Sequence, residues 1–167
     1  GALRFRGGMV LSSPASDFGG LSALRMSADG NRFVALTDRA YWLRARMVYR
    51  GTAPVAIADA ELAPVLGPDG RHMAKHRGGF DTEALADDGN TMYVGIERSH
   101  RILRFDFGRD GVRARGRPVP APSAMKALPS NRGIECMVMP PRGKPLAGTL
   151  IAISERGLDP AGNIVGF

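Results

Sequence analysis

Cysteine is nearly absent from this chain, which has one in 167 residues. An intramolecular disulfide is therefore excluded, and no CxxC-type spacing predicts a zinc site. Cys136 lies in the apolar run 134–139, a setting that predicts a buried structural thiol rather than a nucleophile. Neither a disulfide nor a cysteine-bound metal is therefore expected to stabilise this fold.

Long hydrophobic runs and familiar nucleotide motifs are also missing. No stretch approaches the roughly 20 apolar residues that a membrane-spanning helix needs, and residues 1–8 lack the pattern of a signal peptide, so we expect no membrane partner. The absence of a P-loop and of GxGxxG argues against nucleotide hydrolysis and dinucleotide binding. The three histidines show no zinc spacing, and His72 and His76 are expected on an exposed loop.

The composition favours strands over helices. Hydrophobic residues make up 44% and charged residues 23%, as in soluble globular chains, and the length suits a single domain over residues 1–167. The 22 glycines and 12 prolines favour turns. The net charge is +7, but the basic residues are scattered and no nucleic-acid-binding motif accompanies them. We therefore expect an all-β domain with a basic solvated surface and no nucleic-acid partner.

Three internal blocks repeat a hairpin with an acidic residue before Arg at its end. In the first two blocks an Asp-Gly-Asn turn separates the apolar runs, which is a strong hairpin signal. The paired segments are 20–24 with 33–37, 81–85 with 92–96, and 133–137 with 150–154. Alternating segments at 41–49 and 101–107 predict a third strand, and 54–58 a fourth.

The repeat interval is close to the roughly 40 to 50 residues of one four-stranded propeller blade. We therefore predict a β-propeller-like fold with about three four-stranded blades. Since a propeller closes with about four to eight blades, the chain would form part of a larger propeller, and its exposed blade edges would favour self-association. A small β-sandwich or barrel is the alternative architecture.

Hairpin geometry directs the repeated charged residues to one end of the fold. The start of the first strand and the end of the second lie together, opposite the turn, so Glu83 is expected near Glu97, and Glu135 near Glu155. Ser22 is expected near Asp38. The arginines that follow the acids are Arg39, Arg98 and Arg156.

Clustered carboxylates repel one another unless a cation neutralises them, and their hard oxygens suit Ca²⁺ or Mg²⁺. Arginine beside them suits a phosphate group. One interpretation is therefore a metal site with an anionic substrate. The other is a set of structural ion pairs that tie neighbouring blades together. Asp59 and Glu61 repeat the acid-x-acid pattern of 81–83 and could add ligands or lie in a solvated loop.

These motifs together resemble the phytase-like family described as "esterase-like activity of phytase". The resemblance rests on segments 18–24, 37–39, 59–61, 81–85, 97–102, 131–135 and 154–157. Ala40 stands where the third block has Gly157, which is a departure from the repeat. The resemblance implies a propeller-like bacterial domain of roughly twice this length, usually exported, with kinship to Ca²⁺-dependent phytases. It therefore implies a periplasmic or secreted protein.

The leading hypothesis is a metal-assisted phosphoester or ester hydrolase with Ca²⁺ as cofactor and an anionic small-molecule substrate. Its predicted catalytic residues are Glu83, Glu97 and Glu155. Its predicted substrate-binding residues are Arg39, Arg98 and Arg156. Its predicted metal ligands are Asp38, Glu83, Glu97, Glu135 and Glu155. The alternative is a noncatalytic propeller that binds a ligand or protein, with the acid-Arg pairs structural.

Overall fold

Three antiparallel sheets make up the fold in the computed structural model, which describes residues 2–5, 7–75 and 80–167. Sheet 1 contains β1 (Leu21–Met26), β2 (Arg32–Thr37), β3 (Tyr41–Arg50) and β4 (Ala53–Pro64). Sheet 2 contains β5 (Thr82–Asp87), β6 (Met92–Ile96), β7 (Arg101–Phe105) and β8 (Arg117–Pro118). Sheet 3 contains β9 (Ile134–Val138), β10 (Ile151–Leu158) and β11 (Ile164–Gly166). The helical elements are α1 (Phe107–Asp110) and the 3₁₀ turns Met73–Lys75, Gly111–Arg113 and Ser123–Ala127.

Each sheet is a simple meander in which sequential strands are neighbours. The first two hairpins turn where Asp-Gly predicts. Gly30 has φ +71° and Gly89 φ +96°, a region open to glycine. The Asp29 carboxylate accepts the backbone N–H of Asn31 at 3.0 Å, which satisfies the turn. The predicted turns are therefore confirmed.

The sheets pack in succession through their first strands, with β1 against β5 and β5 against β9. A core that contains Trp42 lies between sheets 1 and 2. The Trp42 ring packs edge-to-face with Phe105 and Phe107, at centroid distances of 5.3 and 5.2 Å. A second core between sheets 2 and 3 contains Ile134 and Met137. Successive sheets with adjacent first strands are the arrangement of propeller blades. The fold is therefore all-β and β-propeller-like, and sheet 3 has three strands in the described part of the chain rather than four.

Two outer faces remain uncovered by another sheet. On sheet 1, an apolar groove of about 380 Å³ is lined by residues that include Leu24, Met26 and Phe33. On sheet 3, Val138 and Ile153 are exposed. The first and last sheets therefore each carry apolar surface that their counterparts in sheet 2 bury.

Three local expectations are wrong. The third strand of sheet 2 ends at Phe105, because Phe107 begins α1 and packs its ring on Trp42. Cys136 is exposed rather than buried, because no described sheet covers the face of sheet 3 on which it lies, whereas its counterpart Ala84 in sheet 2 is buried against sheet 3. His72 is half-buried, with Nε2 3.0 Å from the carbonyl oxygen of Ala40. His76 lies outside the described residues. No helix among the described segments has the length and apolarity to cross a membrane.

Candidate functional site

The same β-bulge occurs at the start of all three sheets. The register between the first two strands slips between Leu21 and Ala23 in sheet 1, and between Thr82 and Ala84 in sheet 2. In sheet 3 the slip falls opposite the step from Ile153 to Ser154. The extra residues are Ser22, Glu83 and Glu135. Because a bulge re-aims the side chain of its extra residue, two of the predicted acids owe their direction to this repeated distortion.

The acids that end the second strands are held beside these bulges by a repeated backbone bond. Asp38 N–H donates to the carbonyl of Gly20 at 2.8 Å. Glu97 N–H donates to the carbonyl of Asp81 at 2.9 Å, and Glu155 N–H to that of Gly133 at 2.8 Å. Each acceptor lies two residues before a bulge residue. The bond therefore brings each second-strand acid to the start of its own first strand.

Hydrogen bonds between sheets 1 and 2 fix the starts of their first strands against each other. Asp81 N–H donates to the carbonyl of Asp38 at 2.7 Å. The Thr82 hydroxyl donates to the carbonyl of Thr37 at 2.7 Å, and the Ser22 hydroxyl donates to the carbonyl of Thr82 at 2.5 Å. Ser22 therefore takes the bulge position of sheet 1 as an intersheet hydrogen-bond donor, where the other sheets carry glutamates.

The carboxylates converge at one end of the sheets. One carboxylate oxygen from each of Glu97, Glu135 and Glu155 lies within 4.8 Å of the other two. Charge interactions also connect Glu83 with Glu135, Asp81, Glu97 and Asp38. We call this set the acidic mouth, which comprises Asp38, Asp81, Glu83, Glu97, Glu135 and Glu155. The expected approach of Glu83 to Glu97, and of Glu135 to Glu155, is present.

Burial and mutual repulsion raise the pKa values in the acidic mouth. The pKa of Glu83 rises from 4.5 to about 7, first because burial disfavours its charge and then because of neighbouring carboxylates, Glu135 foremost. The pKa of Glu97 is raised mainly by burial, although the hydrogen bond from Gly133 N–H opposes the rise. The pKa of Glu135 is raised by burial and then by Glu97 and Glu155. A bound cation would relieve this repulsion.

Two of the three predicted substrate arginines are already engaged by acids. Arg98 Nε donates to Asp81 Oδ2 at 2.8 Å, and its guanidinium lies 4.8 Å from the centre of the Phe80 ring. Arg156 Nε lies 3.5 Å from Glu155 Oε1. Arg39 is exposed and lines a small recess with Asp38, and it makes no ion pair with any described residue. Arg39 is therefore the most available of the three for an anion.

Sequence reasoning missed Asp81 and His100. Asp81 contributes to the raised pKa of Glu83, Glu97 and Glu135, and its position two residues before Glu83 could have suggested it. His100 interacts electrostatically with Glu97, and no spacing in the sequence indicates this contact.

The similar pair Asp59 and Glu61 lies on β4, away from the mouth. Their carboxylates bind Arg46 and Arg44 at 2.9 and 2.7 Å on the exposed surface. An acid-x-acid pattern therefore places carboxylates in the mouth only where a first strand begins with a bulge.

The mouth offers the donor chemistry of a hard cation. Its six carboxylates provide oxygen ligands, which Ca²⁺ prefers. Asp38 Oδ1 is buried, and no described residue donates a hydrogen bond to it. A cation among Glu97, Glu135 and Glu155 would offset their excess of negative charge, and one at Asp38 Oδ1 would satisfy an unpaired acceptor. The residues present therefore fit Ca²⁺.

The fold and the acidic mouth define a β-propeller-type domain whose repeated hairpins direct carboxylates to a common end. The family model described as "Phytase-like: Esterase-like activity of phytase" matches residues 16–165. The chain belongs to this family.

Solved structures that resemble the chain are distant. One is the β-propeller domain of Cps50 (Swd1) from Myceliophteria thermophila, with 11% identity and a TM-score of 0.48 over 80% of this chain and 36% of that one. Another is a putative 6-phosphogluconolactonase from Bacteroides uniformis, with 17% identity and a TM-score of 0.34 over 94% of this chain and 58% of that one. The chain thus spans less than two thirds of either structure. No curated protein matches.

Proposed function

We propose that this domain is a metal-assisted phosphoester or ester hydrolase that acts on an anionic small molecule at the acidic mouth. The observation that carries the proposal is the approach of Glu97, Glu135 and Glu155 to within 4.8 Å of one another. Three like charges so close are unfavourable unless a proton or a cation is bound among them. Membership of the phytase-like family supports the same class of reaction.

Calcium is the proposed cofactor, held by Asp38, Glu83, Glu97, Glu135 and Glu155. These side chains offer only oxygen ligands, and the buried Asp38 Oδ1 lacks a donor among the described residues. When bound, the ion would supply charge stabilisation for the phosphoryl or acyl oxygens of the substrate.

Glu83, Glu97 and Glu155 are the proposed catalytic carboxylates. Glu83 is the best suited to move a proton, because its pKa of about 7 without metal allows both protonation states near neutral pH. Glu97 is 4% exposed and is fixed by the N–H of Gly133 at 3.0 Å, so it would act from a rigid position. Glu155 is exposed and can reach solvent water.

The substrate is proposed to be anionic because arginines surround the mouth. Arg39, which has no ion-pair partner in the described part of the chain, would offer two-point binding to a phosphate or carboxylate. Arg98 and Arg156 would have to share their guanidinium groups between an acid and the substrate. We also propose a periplasmic or secreted location, in keeping with the export that the family resemblance implies.

A noncatalytic ligand- or protein-binding propeller is the second candidate, and one contact favours it. The Glu97 carboxylate accepts the N–H of Gly133 from the next sheet, so this acid already has a structural partner. Arg98 likewise ties the segment after β6 to Asp81, which immediately precedes β5 of the same sheet. Under this alternative, the acids would stabilise the sheet contacts without turning over a substrate.

Calcium titration by calorimetry, followed by p-nitrophenyl phosphate and phytate assays with and without chelator, tests the proposal on the full chain. We expect saturable Ca²⁺ binding and chelator-sensitive turnover. Glu83→Gln combined with Glu97→Gln should abolish both. Glu61→Gln is the control, because it removes one carboxylate on β4 outside the mouth. Unchanged binding and turnover in the double variant would refute the assignment, whereas lowered stability with no activity in any variant would favour the structural alternative.

A further inference from the structure

A second concentration of charge lies on sheet 2, where the chain returns to form β8. Residues 112–117 alternate strictly between buried and exposed. Val112, Ala114 and Gly116 are buried, whereas Arg113, Arg115 and Arg117 are exposed. The alternation therefore places three arginines in succession on the solvent side of one short segment.

Packing beneath this segment holds the alternation in register. A Cβ at Gly116 would lie 2.8 Å from Leu103 Cδ1 and 2.8 Å from Phe105 Cζ, closer than real contacts allow. Ala114 is completely buried in the core that contains Trp42. Gly116 leaves no room for a side chain, and the buried Val112, Ala114 and Gly116 hold the three arginines on the exposed side.

Arg117 faces another arginine across the sheet. Arg104 on β7 and Arg117 on β8 are direct partners in the antiparallel register. Like charges directly opposite each other destabilise a strand pair.

The same position in sheet 1 carries a neutralised pair. Arg44 is the repeat counterpart of Arg104, since Arg44 pairs with Val34 and Arg104 with Tyr93 at equivalent points of the two meanders. The cross-strand partner of Arg44 is Glu61, at 2.7 Å. Sheet 2 therefore keeps an arginine where sheet 1 supplies a carboxylate.

The arginines of sheet 2 border an open recess. A cavity of about 510 Å³ is lined by Asp106, Arg109, Asp110, Arg113, Arg115 and Arg117. An adjoining cavity of about 140 Å³ is lined by Thr91, Arg104, Asp106 and Arg117. We call the two together the arginine recess.

The two acids of the recess are occupied by a single arginine. Arg109 binds Asp110 at 2.8 Å and Asp106 at 3.2 Å. Asp110 also experiences the charge of Arg117, but no described carboxylate lies within 4.0 Å of Arg104, Arg113, Arg115 or Arg117. Among the residues that the structure describes, the recess therefore retains net positive charge and several guanidinium groups without an ion-pair partner.

We propose that the arginine recess binds a small anion that carries two or more phosphate groups. Planar guanidinium groups bind phosphate oxygens in two-point fashion. Several arginines around one cavity carry more positive charge than a ligand with a single carboxylate could neutralise, which favours a ligand with several phosphate groups. The hydroxyl of Thr91 offers a further donor at the edge of the smaller cavity. An anion between Arg104 and Arg117 would convert their repulsion into shared attraction.

The recess is separate from the acidic mouth. β7 runs away from the mouth, from Arg101 to Phe105, so Arg104 lies near the opposite end of sheet 2. Thr91 belongs to the turn region before β6, which is also at that end. Binding here therefore does not depend on the proposed hydrolase, and its measurement needs neither calcium nor turnover.

Calorimetric titration of the full chain with tripolyphosphate, in chelator and at two salt concentrations, tests the site. We expect saturable binding that Arg104→Gln with Arg117→Gln weakens by about tenfold or more, because charge-assisted contacts are lost. Arg44→Gln with Arg46→Gln is the matched control. It removes the same charge from the equivalent strand of sheet 1, where both arginines are paired with acids. The control should bind within about twofold of the unchanged protein.

A thermal unfolding series gives a second readout. Tripolyphosphate should raise the unfolding temperature of the unchanged protein and of the control, and should have little effect on the Arg104→Gln, Arg117→Gln variant. Equal loss of binding in both double variants would mean general charge attraction and would overturn the proposal, as would the absence of binding. Absence of calcium binding and of turnover in the unchanged protein, with retained tripolyphosphate binding, would refute only the proposed enzyme and leave the recess proposal standing.

Discussion

The backbone N–H of Gly133 donates to Oε1 of Glu97 at 3.0 Å and joins the start of sheet 3 to the end of a hairpin in sheet 2. In the preceding pair of sheets, Asp81 N–H makes the equivalent link to the backbone carbonyl of Asp38. The donor is therefore a backbone N–H at the same repeat position in both cases, whereas the acceptor is a backbone carbonyl in one case and a glutamate side chain in the other. Glu97 consequently serves the sheet contact as well as the acidic mouth.

Removing this acceptor should destabilise the fold. Glu97→Ala leaves the buried N–H of Gly133 without its partner, so we expect a loss of about 1 to 3 kcal/mol in the free energy of unfolding. Glu97→Gln retains a carbonyl acceptor and should lose less. Urea unfolding in chelator measures both. Exposed Glu61→Ala is the control and should change stability by about 1 kcal/mol or less. Equal stability of Glu97→Ala and the unchanged protein would contradict a structural role for this bond.

A side chain at Gly133 should disrupt the same junction. A Cβ at Gly133 would lie 2.9 Å from the Glu97 carbonyl oxygen and 2.9 Å from His100 Nδ1. We expect Gly133→Ala to cost about 1 to 3 kcal/mol, because overpacking forces the backbone to shift. Gly8→Ala is the control, since its nearest neighbour would be the Phe5 ring at 3.8 Å. Comparable unfolding midpoints for the two variants would show that the junction between Gly133 and Glu97 accommodates a methyl group.

The metal-free protein should become less stable as pH rises toward neutrality. The pKa of Glu83 is raised in the folded state from 4.5 to about 7, so the folded state binds the proton more tightly than the unfolded state. Its contribution to stability is therefore present at low pH and is lost as pH rises from about 4.5 to 7. Glu97 and Glu135, whose pKa values are also raised, act in the same direction.

Urea unfolding in chelator across this pH range measures the effect. Glu83→Gln should flatten the pH dependence, whereas Glu61→Gln should leave it unchanged. Calcium should restore stability at pH 7 if it occupies the mouth. A pH profile that is the same for Glu83→Gln and the unchanged protein would contradict the assigned cause.

The uncovered faces of sheets 1 and 3 predict association between copies of this chain. Leu24 occupies the position of Leu85 and Met137 in the repeat, yet it is 52% exposed whereas they are 2% and 1% exposed against a preceding sheet. Cys136 occupies the position of Ala84, which is buried in the core shared with sheet 3. The exposed face of sheet 3 in one copy could therefore cover the exposed face of sheet 1 in another copy, as neighbouring sheets cover each other within the chain.

Analytical ultracentrifugation should therefore detect self-association of the full chain. Leu24→Asp, which places a charge in the lining of the apolar groove, should reduce self-association, and Arg71→Asp on an exposed loop is the control. A chain that stays monomeric at the highest soluble concentration would exclude a second copy as the partner of this face. It would leave further sheets of a longer polypeptide as the alternative occupant.

Local patterns predicted most of the hairpins because their signals are short in range. Asp-Gly between two apolar runs places a turn wherever it occurs, and alternation identifies β3 and most of β7. The same reasoning failed at Phe107, where contact with Trp42 favours a helical turn over continuation of the strand. It failed at Cys136 because an apolar run does not reveal that no described sheet covers this face of sheet 3.

The sequence by itself determined the three repeated hairpins and the end of the fold to which Glu83, Glu97, Glu135 and Glu155 are directed, because a hairpin joins residues that are close in the chain. It did not indicate β8 or β11. Only the tertiary structure decided which acids meet across sheets. Packing of β5 against β9 brings Glu135 to Glu97. Backbone bonds to Asp38 and Glu97 place Asp81 at the mouth, whereas Asp59 pairs with Arg46 on the exposed surface. The tertiary structure also decided that Arg104 faces Arg117, since cross-strand partners depend on a register that no local pattern fixes.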